Sequence, residues 1–108
     1  ETIYDLDVNQ PFESMAKAYS LVILNNNFNN RLELMERLIK EYRVDGLVIH
    51  SARSCKPYSV GQYDLARLLM DRLTIPSVVI EADITDSRVY FEEQTRTRIE
   101  AFFEAMEI

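Results

Sequence analysis

Cysteine is nearly absent from this 108-residue chain, and Cys55 is its single thiol. No internal disulfide can form, so the reducing cytoplasm is the expected compartment. Glycine is almost as scarce, with only Gly46 and Gly61. That excludes a phosphate-binding P-loop and the Rossmann Gly-x-Gly-x-x-Gly fingerprint, both of which need several glycines. Basic charge is in deficit: 12 Lys and Arg against 18 Asp and Glu give a net charge of −6, which argues against nonspecific nucleic-acid binding. No run approaches the roughly 18 apolar residues that a membrane helix needs. Glu1-Thr2-Ile3-Tyr4-Asp5 lacks the basic and apolar regions of a signal peptide. His50 is the only histidine, so a four-ligand zinc site has too few soft or imidazole donors. An initiator Met is missing too, and the chain is expected to be a piece of a longer one.

What remains is globular: 47% hydrophobic and 28% charged residues, enough for one ordinary domain spanning 1–108 with a core of its own. Asn9-Gln10-Pro11 reads as a helix start, followed by Phe12, Met15, Ala16, Tyr19 and Val22 at helical spacing. Asn25 to Asn30 reads as a surface loop, because asparagine favours turns and caps. Asn30 with Glu33 then resembles a capping pair for a helix striped by Leu32, Met35, Leu38, Ile39 and Tyr42. Glu33 with Arg37 and Glu36 with Lys40 are spaced as exposed pairs. Leu47-Val48-Ile49-His50 reads as a strand buried on both faces of a parallel sheet. A helix over Tyr63 to Leu73, ended by Ile75-Pro76, leads to a second strand at Val78-Val79-Ile80. The last helix runs from about Tyr90 to Met106, with Thr95, Ile99, Phe102, Phe103 and Met106 on one side. Its Arg96 and Arg98 read as solvated or paired with Glu92, Glu93 and Glu100. Ile3-Tyr4 is a further candidate strand.

This order implies an α/β fold: a three-layer, open, mainly parallel sheet with flanking helices, a flavodoxin-like half-domain. Ligands of such sheets bind beyond the C-terminal ends of the strands. Two loops leave those ends, Ser51 to Gln62 and Glu81 to Arg88. If the strands are neighbours, Cys55 and Asp83-Ile84-Thr85-Asp86-Ser87-Arg88 share one rim.

Cys55 lies there between Arg53 and Lys56, and neighbouring cations favour the thiolate that metals and electrophiles bind. A tyrosine-phosphatase loop is excluded, because the position six after the cysteine is Gly61 and not arginine. His50 reads either as a strand-end histidine satisfied by backbone or as a partner in a Cys-His nucleophilic pair. Asp83 and Asp86 are helix caps or acid/base groups. Tyr58 and Tyr63 read as packing residues. His50, Ser54, Asp83 and Ser87 are the candidate substrate-rim residues. A thiol without visible partners implies that the remaining ligands of any metal group lie elsewhere.

Four segments together resemble the C-terminal region of the benzoyl-CoA reductase and 2-hydroxyacyl-CoA dehydratase subunit family. They are Asp45-Gly46-Leu47-Val48-Ile49-His50-Ser51, Arg53-Ser54-Cys55-Lys56-Pro57-Tyr58-Ser59-Val60-Gly61-Gln62, Ile75-Pro76 through Glu81-Ala82-Asp83-Ile84-Thr85-Asp86-Ser87-Arg88, and Glu93-Gln94-Thr95-Arg96-Thr97-Arg98-Ile99-Glu100-Ala101-Phe102. The resemblance covers Arg31 to Met106. It implies a C-terminal fragment of a much longer subunit, in which cysteines from different domains hold one 4Fe-4S cluster and Cys55 is a cluster ligand. Arg53 and Lys56 would stand close behind it. The resemblance also implies a paralogous second subunit, an ATP-hydrolysing activator protein that delivers a low-potential electron, and an acyl-CoA substrate. That substrate is either reduced in its aromatic ring or dehydrated through a ketyl radical. The Arg-Ser-Cys-Lys-Pro-Tyr-Ser context is closer to the aromatic-reductase branch. With one cysteine, the 108 residues alone would assemble no cluster and be inactive.

Two other readings stand beside this one. The chain could be a non-catalytic, flavodoxin-like interaction domain with an incidental Cys55. A thiol redox sensor is the weaker option, because no resolving cysteine is present.

Overall fold

The computed structural model describes residues 6–106. These form a mixed α/β half-domain around a small parallel sheet that is open, not closed into a barrel. The elements are helices α1 (Pro11–Ser20) and α2 (Phe28–Tyr42), strand β1 (Leu47–Ala52), helix α3 (Gln62–Leu73), strand β2 (Ser77–Ala82) and helix α4 (Glu92–Ala105). Short 3-10 turns at Lys56–Tyr58 and Ser87–Val89 lie in the loops after β1 and β2. The Ile3-Tyr4 candidate strand falls outside the described residues. The chain divides into two compact units, one up to Arg31 and one from Leu32 onward.

In the first unit, Pro11 occupies the first turn of α1, where its missing N–H is no loss. The apolar residues of α1 recur at helical spacing, yet none of its residues is buried, and Phe12 is 83% exposed. Periodicity marks the face a helix offers, but it does not supply the surface that covers it. The asparagine run also differs from expectation. The helix starts at Phe28, and Asn27, not Asn30, is the cap: Asn27 Oδ1 accepts the Asn30 N–H at 2.9 Å. Asn29 and Asn30 are therefore helical.

The second unit is a strand–helix–strand crossover. β1 and β2 pair in parallel, with Leu47 opposite Ser77 and Ala52 opposite Ala82. Helix α3 packs on both strands, and α4 packs on β2. The core is Ile49 and Val79 from the sheet, Leu65 and Leu69 from α3, and Phe102 from α4, with Leu32 and Ile39 of α2 also buried. Each such side chain contributes about 2 kcal/mol by leaving water. Glu36 of α2, expected to pair with Lys40, instead meets Arg72 of α3 at 2.8 Å. β1 is not covered on both faces. Val48 is 59% exposed and His50 is exposed, on the face opposite buried Ile49 and Ser51.

Helix ends account for the unusual backbone angles. Arg43 follows α2 at φ 52°, and Val44 N–H reaches back to Ile39 O at 3.0 Å, the six-to-one bond of a Schellman ending. Thr74 ends α3 at φ 57°. Gly61 precedes α3 at φ 81°, a conformation that only glycine adopts freely.

Gly46 is needed for close packing and not for backbone freedom. Its φ is not positive. A Cβ there would overlap the Met106 sulfur and lie 2.7 Å from Phe102 Cζ. α4 is thus seated directly against the backbone that starts β1. Gly46→Ala is expected to destabilise the fold by about 1–3 kcal/mol. The measurement is chemical denaturation, and the loss should be relieved by shortening Met106 to Ala in the same chain.

Candidate functional site

The C-terminal ends of β1 and β2 carry the loops that hold the candidate residues, and the backbone joins them first. Arg53 N–H donates to Ala82 O at 3.0 Å, extending the ladder one residue beyond β1. Side chains then take over. Ser54 N–H donates to Asp83 Oδ2 at 3.0 Å, across 29 positions of sequence. The other carboxylate oxygen of Asp83 accepts from Thr85 N–H and Thr85 Oγ1, both at 2.9 Å, and from Asp86 N–H at 3.2 Å. One carboxylate therefore ties the cysteine loop to the loop after β2 and also folds that second loop. Donors from Ser54 first, then Thr85 and Asp86, hold the Asp83 carboxyl far below the usual carboxylate range.

Cys55 is the next residue along. Its backbone is extended and leads into the 3-10 turn at Lys56–Tyr58. Its N–H donates to Ala52 O and its carbonyl accepts from Tyr58 N–H, each at 3.0 Å. The thiol is half-buried. The main chain at Cys55 is thus fixed from both sides, while Arg53, Ser54 and Lys56 around it are exposed.

Gln62 closes the loop from inside. It is 5% exposed, and its Nε2 donates to His50 O at 3.3 Å and Tyr58 O at 3.1 Å. It links the strand, the cysteine loop and α3, a role that sequence reasoning missed. A glutamine directly after a lone glycine and before a helix was the only signal that could have found it. Tyr63 OH donates to Glu81 Oε1 at 3.0 Å, a second bridge between the start of α3 and the end of β2. Tyr63 is half exposed, so it is a tether and not a core residue.

His50 lies on the open face of β1 with its ring exposed, and its backbone carbonyl is the part engaged at the rim. Ser87 starts the 3-10 turn after β2 and is exposed. Beside it Asp86 caps that turn, accepting Arg88 N–H at 3.1 Å and gripping the guanidinium through Nε and Nη2 at 2.8 Å each. Arg88 holds the Asp86 carboxyl below its ordinary value. Both aspartates are engaged in shaping the loop. Among the described residues, no three His, Cys, Asp or Glu side chains are grouped to hold a metal ion. Cys55 fits a metal or cluster as one thiolate donor only.

Comparison with known proteins decides the family. The 2-hydroxyglutaryl-CoA dehydratase, D-component family matches residues 1–106. The chain belongs to this family. The match extends through the first 30 residues as well as the motifs that carried the resemblance. A benzoyl-CoA reductase subunit of Thauera aromatica is 34% identical over 101 residues, 94% of this chain and 23% of that protein. The alpha subunit of lactoyl-CoA dehydratase of Anaerotignum propionicum is 35% identical over 104 residues, 96% of this chain and 24% of that protein. The alpha subunit of (R)-2-hydroxyglutaryl-CoA dehydratase of Acidaminococcus fermentans is 30% identical over 95 residues, 88% of this chain and 20% of that protein. The chain thus spans about a quarter or less of the length of these relatives. No helix among the described residues is long and apolar enough to cross a membrane.

The depressed Asp83 carboxyl sets a pH dependence. A carboxyl lowered in the folded state stabilises fully above the ordinary value of 3.8 and loses that contribution only as pH falls through its lower folded value. The Ser54 and Thr85 amide shifts are expected to stay flat through neutral pH and to titrate together below 3.8 in an NMR acid titration. In Asp83→Ala both amides should exchange faster with solvent, with those of the β1–β2 ladder unchanged.

Proposed function

We propose that this chain is the C-terminal, cysteine-bearing domain of an acyl-CoA reductase or dehydratase subunit, and that Cys55 is one ligand of a 4Fe-4S cluster completed by cysteines from outside these residues. The observation that carries the reading is the placement of Cys55. It is the single thiol of the chain, half-buried and fixed on both sides by backbone bonds, on the rim where open parallel sheets place their ligands. Iron–sulfur clusters are held by cysteine thiolates. When bound, the cluster would supply one-electron transfer.

This chain's own residues do the holding. Cys55 presents a sulfur on a loop that Gln62 anchors from below and Asp83 clamps from the side. Arg53 and Lys56, exposed on either side of the cysteine in the loop, would add positive charge near an anionic cluster and tune its potential. Ser54, Ser87 and His50 remain the exposed rim groups available to an acyl-CoA. In this reading the subunit works with a paralogous second subunit and takes its electron from an ATP-hydrolysing activator in the cytoplasm. The named relatives include both reductase and dehydratase subunits, so the family alone leaves both branches open. A second reading, an interaction domain with an incidental Cys55, draws on the exposed apolar side chains of α1.

The test is iron and acid-labile sulfide content, with EPR, of the anaerobically purified full-length subunit and its Cys55→Ala variant. About four irons per subunit are expected, with loss or a changed spectrum in the variant. An identical cluster in both proteins would remove Cys55 from the ligand set and favour the interaction domain.

A further inference from the structure

The turn that carries Cys55 is closed on itself and gripped by side chains on both sides of the cysteine. Cys55 N–H donates to Ala52 O and Tyr58 N–H to Cys55 O, each at 3.0 Å, so Ala52 to Tyr58 is held as one piece. Behind the cysteine, Gln62 Nε2 donates to Tyr58 O at 3.1 Å. Ahead of it, Asp83 Oδ2 accepts Ser54 N–H at 3.0 Å. The two grips differ in depth. Gln62 is 5% exposed and also holds His50 O, so its loss would leave carbonyls unpaired and weaken the fold. Asp83 holds Ser54 in an exposed bond. Release of that bond would let the turn pivot on Gln62 with the core intact.

The two oxygens of Asp83 have separate tasks. Oδ1 accepts Thr85 N–H and Thr85 Oγ1 at 2.9 Å and Asp86 N–H at 3.2 Å, and so folds the loop after β2. That task needs one oxygen, and asparagine caps a turn as well as aspartate does. Asn27 does so at the start of α2, where its Oδ1 accepts Asn30 N–H at 2.9 Å. The task of Oδ2 is different. An asparagine whose oxygen served Thr85 would turn its NH2 toward Ser54 N–H, donor against donor. A carboxylate is therefore required by the reach to Ser54 and not by the loop that Asp83 sits in. It also places a negative charge at the amide that precedes Cys55, opposed to the exposed cations Arg53 and Lys56.

We infer that Asp83 is a positioning residue for Cys55: one carboxylate oxygen folds the loop after β2, while the other holds the cysteine turn to that loop and sets the charge felt by whatever the sulfur binds. This deepens, and rests on, the reading of Cys55 as a cluster ligand. Iron–sulfur potentials follow net charge and hydrogen bonds to sulfur. An ionised carboxylate beside the turn disfavours the extra negative charge of a reduced cluster and so lowers its potential. By engaging Ser54 N–H, it also keeps that donor from any sulfur acceptor. Both effects act in the same direction. A purely structural clamp would change how firmly a cluster is held and leave its potential where it was.

The test is Asp83→Asn in the anaerobically purified full-length subunit. Asp86→Asn is the control, since it removes a charge from the same loop but from a side chain that grips Arg88 and not Ser54. Amide hydrogen exchange reads the clamp, and an EPR-monitored redox titration reads the potential. In the wild-type subunit the Ser54 amide should exchange as slowly as that of Arg53. In Asp83→Asn the Ser54 amide is expected to exchange about tenfold faster, with Thr85 and Asp86 still protected. The midpoint potential should move to a more positive value with iron content retained. Asp86→Asn should leave Ser54 exchange unchanged and shift the potential less. Fast exchange at Ser54 in the wild type overturns the inference, and this arm decides even if Asp83→Asn fails to fold. An equal shift in Asp86→Asn overturns it too. So does an unmoved potential in Asp83→Asn when Cys55→Ala loses the cluster. Failure of the cluster assignment is distinguishable, because Cys55→Ala would then retain an unaltered cluster.

Discussion

The pairing of β1 with β2 in register is the constraint on which everything else at the rim depends. With Ala52 opposite Ala82, the two strands end at the same level and their loops leave side by side. Arg53 then extends the ladder, and Asp83 reaches Ser54 across 29 positions. A slip of one residue would turn Ile49 and Val79 out of the core and break the Asp83 clamp together. The buried contacts of Leu65 and Leu69 with the sheet therefore fix the register, and the register fixes the geometry around Cys55.

The rim is a polar clamp around one thiol. Its hydrogen bonds run mostly from backbone N–H groups and from Gln62, with Asp83 as the central acceptor. Such a loop holds its main chain still while leaving exposed side chains at Arg53, Ser54 and Lys56. That arrangement suits presentation of a ligand sulfur to a group completed from elsewhere. The chain belongs to the dehydratase D-component family and spans about a quarter of the length of its benzoyl-CoA reductase relative.

Much of this was legible in the residues themselves. The β-branched runs at Leu47-Val48-Ile49 and Val78-Val79-Ile80, the helical stripe between them and the Ile75-Pro76 stop gave the crossover, and the crossover gave the shared rim. The illegible parts were contacts that leave no periodic trace. Arg98 binds a backbone carbonyl of another element, and no charge pattern on α4 announces that. Gly46 is required by the close approach of Phe102 and Met106, which its position in the sequence does not announce. Asn27 and Asn30 have equal capping chemistry, and only the observed start of α2 chooses between them. The apolar spacing of α1 marked a helix, and helical spacing by itself does not say whether that face is covered.

Iron-edge anomalous diffraction from anaerobically grown crystals of the full-length subunit tests the central claim most directly. The expected result is an iron peak bonded to Cys55 Sγ, with the Ser54–Asp83 bond intact beside it. A cluster bonded wholly to other cysteines, with Cys55 Sγ away from iron, would contradict it.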